Sequence, residues 1–136
     1  MERADCTLDD IYELLSESRR RYILYYFLDN EHANVEGLSL QIAAWELDST
    51  VDVVTEERKQ RVTTSLIHSH LPKLADYGLI EYDGRTGDVV ATDELDDVCD
   101  TIARARRAED DVTITGSSTE SVLYSEPLTS SSRPSQ

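Results

Sequence analysis

Apolar residues recur at helical intervals along most of the first hundred positions, interrupted once by a short alternating stretch. Leu8, Ile11, Leu14 and Leu15 follow Thr7 and the carboxylates Asp9 and Asp10. A threonine that can cap free N–H groups, followed by acids at the positive helix end, predicts a first helix. Ser16 and Ser18 offer a second cap, and Arg19 to Leu28 continue as helix with Tyr22, Ile23, Tyr26 and Phe27 as the buried stripe. Asp29-Asn30-Glu31-His32 breaks the pattern. Asn34 then caps a helix whose Val35, Leu38, Ile42 and Trp45 share one face. Ala43 and Ala44 permit close approach there, and Gly37 weakens the helix slightly. "LDSTVDVV" reads as a linker. Thr55-Glu56-Glu57 opens a long helix, bent on its solvent side at Pro72 and ended by Gly78 in the manner of a left-handed cap.

"LIEYDGRTGDVVAT" changes the period from helical to alternating. It predicts strands over Leu79 to Tyr82 and Asp88 to Ala91, around a turn holding Gly84 and Gly87. Thr92-Asp93-Glu94 begins a last helix with Leu95, Val98, Cys99 and Ile102 on one side. Residues 112–136 contain 12 Ser or Thr and two Pro, a composition too poor in large apolar groups to offset the entropy of ordering. They are expected to be mostly disordered and removable without losing the fold, with Val112 to Thr115 as a weak edge-strand signal. Residues 1–111 form the domain and 112–136 a tail. The expected fold is mainly α with a small β-hairpin, in the winged helix-turn-helix arrangement with the hairpin as wing.

Charge adds a second layer. The chain has 13 Lys+Arg against 28 Asp+Glu, a formal net charge of -15. Only Lys59 and Lys73 are lysines, and the acids are spread through every segment. Such a surface fits a salt-in halophile, where screening tolerates self-repulsion; a mesophilic acidic protein with basic partners is the alternative. No apolar run approaches a membrane span and Met1 to Asp5 do not begin a signal peptide, so a cytoplasmic location and no membrane partner are expected. Cys6 and Cys99 lie too far apart in sequence to indicate a zinc site or disulfide framework.

The long helix departs from the acidic average. Its apolar face collects Val62, Leu66, Ile67, Leu71, Leu74 and Tyr77, with Thr63 and His70 on the same side. The opposite face collects Arg58, Arg61, Thr64, Ser65 and His68, with Glu57 as an exception and Lys59 close by. Cations, hydroxyls and an imidazole there can donate to phosphates or to base acceptors in a major groove. An ordinary solvated face is the alternative. Arg85, at the hairpin turn, adds a cation where a wing meets a backbone or minor groove. Arg19-Arg20-Arg21 forms a third basic cluster. The expected DNA-binding residues are therefore Arg58, Lys59, Arg61, Thr64, Ser65, His68 and Arg85.

His68 and His70 project about 200° apart on a helix and do not chelate one metal ion; His70 is expected to pack inward. No nucleophile, base and orienting acid stand together, and no Gly-rich phosphate loop precedes a helix. Neither an enzyme nor a cofactor is expected.

"SLIHSHLPKLADYGLIEYD" resembles the end of the recognition helix and first wing strand of ArsR- and MarR-like winged-helix regulators. The shared positions are His70, Leu71, Leu74, Gly78, Leu79 and Ile80. With "RRRYILYYFL" and "QIAAWE", the chain from Leu8 to Arg107 is similar to an uncharacterised haloarchaeal winged-helix domain family. That resemblance implies a regulatory protein that binds double-stranded DNA. It lacks the paired Cys or His sites of metal-sensing relatives, and Tyr77 stands where a small residue often precedes the glycine. A homodimer is expected from two terminal apolar stripes, Leu8, Ile11 and Leu14 against the partner's Leu95, Val98 and Ile102, unless those stripes complete one monomer core. The rival reading is a protein-interaction module on a winged-helix scaffold, since an acidic surface repels a phosphate backbone.

Overall fold

The computed structural model describes residues 6–116, with side chains through Asp110. Six helices and three strands follow in the order α1 (Leu8–Leu15), α2 (Ser18–Asp29), β1 (His32–Asn34), α3 (Val35–Glu46), α4 (Glu56–Ser65), α5 (Leu71–Asp76), β2 (Ile80–Asp83), β3 (Asp88–Ala91) and α6 (Asp93–Gly116). A short 3-10 turn, Val51–Val53, lies between α3 and α4. The strands form one antiparallel sheet in the order β1-β3-β2. This mainly helical chain with a small sheet has the winged helix-turn-helix arrangement.

The caps follow from local chemistry. Thr7 Oγ1 accepts from the Asp10 N–H at 3.1 Å while Asp10 Oδ2 accepts from the Thr7 N–H at 3.0 Å, a reciprocal capping box. Asn34 and Thr55 cap α3 and α4 by accepting from Glu36 and Arg58 N–H groups. Neither Ser16 nor Ser18 caps α2: that position falls to Glu17, without a side-chain bond, and Ser16 Oγ donates to the Glu13 carbonyl. Gly78, at φ 83°, ends α5, with its N–H on Ala75 O and the Leu79 N–H on Leu74 O. Both bonds satisfy carbonyls that the helix end leaves open.

Strand β1 was not expected from the pattern, because His32-Ala33-Asn34 has a single buried side chain, Ala33. Its pairing comes from tertiary structure: His32, Ala33 and Asn34 lie opposite Val90, Val89 and Asp88 on the open edge of the hairpin. Gly87 makes the close approach possible. Its φ is +83°, its carbonyl accepts from the Val35 N–H at 2.7 Å, and a Cβ there would come within 3.0 Å of Val35 Cγ1.

The disturbance at Pro72 takes the form of a widened turn. One turn earlier, Leu66–His70 is π-helical, and the Leu71 N–H reaches back to Leu66 O. A proline cannot donate to the carbonyl four residues back and its ring crowds that carbonyl. The widened turn also inserts one residue, so that Val62, Leu66, Leu71 and Leu74 all stay fully buried although Leu66 and Leu71 are five apart.

Helix α2 crosses the core, packed by α1, α3 and α6. Its buried residues are Arg20, Ile23, Leu24, Tyr25 and Phe27, while Tyr22 and Tyr26 are half-buried. The expected stripe was too narrow, since a helix covered from several sides has no single inner face. Tyr22 stacks edge-on against Trp45 with ring centroids 5.9 Å apart. Ile11, Leu14, Leu95 and Ile102 are all buried within one chain. Most of the two terminal stripes thus closes a monomer core, with Val98 half-buried against it and Leu8, at 57% exposure, outward. Helix α6 runs through Val112 to Thr115, so those residues form no edge strand. The Ser/Thr-rich expectation from residue 117 onward concerns chain outside the described residues.

Candidate functional site

The candidate surface is set by the packing of α3 against α4. Glu36, near the start of α3, holds the Lys59 ammonium at 2.7 Å, and Thr63 Oγ1 donates to Lys59 O. Lys59 is thereby placed in the joint between the two helices, its pKa raised chiefly by the hydrogen bond to Glu36. It is the expected contact residue that the structure turns most clearly to another task.

Arg61, Thr64 and His68 are exposed, and Arg58 and Ser65 are half-buried. These five share the outward side of α4 and the π turn. Arg61 is drawn to Glu57 one turn back, Nη2 to Oε2 at 3.0 Å. Glu57, Gln60, Arg61, Thr64 and Ser65, together with Arg19 of α2, surround a shallow depression of about 490 Å³. Arg58 has no ion pair among the described residues. Arg85 stands at the wing tip, 88% exposed, with its Nε 3.9 Å from Asp83 Oδ1. The turn is built by Asp83: its Oδ1 accepts the Arg85 N–H, and its carbonyl accepts the Gly87 N–H. Helix and wing tip therefore both present donors, but Lys59, Arg61 and Arg85 each have a carboxylate beside them.

The Arg19-Arg20-Arg21 cluster is structural. Arg19 forks onto Glu46 of α3 and Arg21 onto Glu109 of α6, each through two nitrogens. Arg20 is buried, donating from Nε to Leu14 O at 2.9 Å and from Nη2 to Glu13 O at 3.0 Å. It thereby supplies a donor to Leu14 O at the open end of α1, and adds to the bonds that Ser16 already gives Glu13 O. Tyr25 also donates to Glu109, at 2.7 Å, and burial pushes its phenol far above the ordinary range. Three consecutive arginines thus tie α2 to three other helices, a role the sequence spacing did not disclose.

His70 points inward, as expected, and its Nδ1 has no hydrogen-bond partner among the described residues. Burial, then the nearby Arg20 guanidinium, lowers its pKa below the usual 6.5; Arg19 adds to this, and Glu17 and Glu46 oppose it. The unfolded chain therefore takes up a proton that the folded chain resists. Its contribution is fully present above about pH 6.5 and is lost as pH falls through the folded-state value. Melting temperature should drop between pH 7.5 and 5.5, and His70→Leu should flatten that part of the curve. An unchanged slope in the variant would assign the loss to other groups.

Among the described residues no helix is long and apolar enough to cross a membrane. No curated protein and no solved structure matches the chain. Residues 12–90, from the middle of α1 to β3, match the family described as Domain of unknown function (DUF7344). The match takes in α2 to α5, the helix-turn-helix joint and almost all of the wing, and leaves out α6. It covers more than half of the sequence, and the chain belongs to that family.

Proposed function

We propose that the protein is a winged-helix regulator that binds double-stranded DNA, with α4 and the π turn in the major groove and the β2–β3 wing on the backbone or minor groove. The resemblance to ArsR- and MarR-like and haloarchaeal winged-helix proteins supports the same reading. The observation that carries it is the outward side of α4. Arg58, Arg61, Thr64, Ser65 and His68 offer donors in one row, with no large apolar side chain among them, and Arg85 projects at the wing tip. Nothing in this reading needs a second copy, because the terminal stripes that pointed to a homodimer close the core of one chain.

A protein-interaction module remains the second reading, favoured by the carboxylates beside Lys59, Arg61 and Arg85. Arg58→Ala and Arg61→Ala separate the two. Both are expected to weaken binding to duplex DNA in band-shift titrations. Neither side chain lies in the core, so each should change stability by no more than about 0.5 kcal/mol. Equal DNA affinity in wild type and both variants would favour the protein-partner reading.

A further inference from the structure

Helices α1 and α6 leave a groove of about 470 Å³ between them, far from the α4 surface in sequence and built from different elements. Its walls are Tyr12 and Leu15 on one side and Thr101, Ala105 and Ala108 on the other. Tyr12 is 60% exposed, unusual for an aromatic ring beside an apolar wall. Arg104 and Arg107 line the same groove and form no ion pair among the described residues, although the chain carries 28 acids. The groove therefore asks for an apolar segment flanked by carboxylates.

We propose that this groove is a docking site for the chain's own C-terminal segment Val122-Leu123-Tyr124, with Glu120 and Glu126 answering Arg104 and Arg107. After Gly116 these three residues are the sole run of consecutive large apolar side chains, and an acid stands two positions away on either side. The reach is sufficient. Ala108 lies eight residues before the end of α6 at Gly116, about 12 Å along a helix. Leu123 lies seven residues beyond it, up to about 25 Å of extended chain. A short tether also holds the segment at an effective concentration in the millimolar range, so a contact too weak between separate molecules is populated within one. The docking is an addition to a core that is already closed, and it stands apart from the DNA reading.

The test is made on the full chain. Amide shifts of wild type are compared with Leu123→Asp/Tyr124→Asp, while sedimentation velocity follows association at the same concentrations. The tail variant is expected to shift Tyr12, Thr101, Ala105 and Ala108 and leave α4 and the wing unmoved, in a protein that stays monomeric. Arg104→Glu/Arg107→Glu should produce the same shifts, and adding Glu120→Arg/Glu126→Arg should reverse them. Unmoved groove amides would overturn the proposal. So would groove shifts that depend on protein concentration, which would make a second copy the occupant.

Discussion

Replacing Arg20 by alanine should destabilise the fold on the scale of truncating a buried core side chain. Arg20 is 8% exposed, and its guanidinium donates to two carbonyls, Leu14 O and Glu13 O, at the joint of α1 and α2. Truncation strips the Leu14 carbonyl of its partner in a water-poor site and opens a void the length of the side chain. Those losses together are worth about 2–4 kcal/mol. In a domain of this size that should lower the melting temperature by roughly 10–20 °C. Arg20→Lys should rescue little, because a single ammonium cannot reproduce two forked donors. Arg19→Ala is the contrast: its pair with Glu46 is partly solvated, and about 1 kcal/mol is expected. Calorimetry on the three variants decides. An Arg20→Ala protein melting within ~3 °C of wild type would show that water replaces the guanidinium at the α1 terminus, and the account of the joint would be wrong.

The same arginine shows where sequence reading runs out. Periodicity disclosed α1, α3 and α4 because each carries apolar residues at helical spacing and a Thr or Asn cap whose partner lies two or three residues on. Such information is local, and so is Gly78 at the end of α5. The wing was legible for the same reason. What escaped depends on residues distant in sequence: the pairing of β1 with β3, and the bonds from Arg19 to Glu46 and Arg21 to Glu109. An arginine triplet in an acidic chain looks like a nucleic-acid patch until its partners are known. The π turn was hidden by a subtler cause. Pro72 announced a disturbance, but the widened turn before it goes with the five-residue step from Leu66 to Leu71 across the core. The candidate site was legible as a face, since Arg61, Thr64 and His68 are all exposed. Its charge balance was not, because Glu36 comes to Lys59 from another helix.

That balance leads to the second large effect. A phosphate approaching Arg61 must compete with Glu57, which already holds the guanidinium at 3.0 Å and is itself 78% exposed. The exposed pair contributes only about 0.3–0.5 kcal/mol to the fold, yet its carboxylate repels every phosphate nearby. Glu57→Gln should therefore leave the fold intact and tighten DNA binding about threefold to tenfold at low salt, the scale expected for removing one like charge at the edge of a polyanion contact. Salt gives the signature. Contacts from cations to phosphate release counterions, so affinity falls as KCl rises. Repulsion from the acidic body falls as well, since the Debye length is only about 3 Å near 1 M. In wild type the two trends oppose, and affinity should be nearly flat or pass through a maximum. In Glu57→Gln the repulsive part is smaller, so affinity should fall more steeply and meet the wild-type curve near 1 M. Fluorescence-anisotropy titrations of both proteins on one duplex, at KCl concentrations into the molar range, give the comparison, with circular dichroism confirming the fold throughout. A constant ratio of affinities at every salt concentration would mean that Glu57 acts through Arg61's geometry and not through its charge; equal affinities would remove the α4 face from the DNA contact.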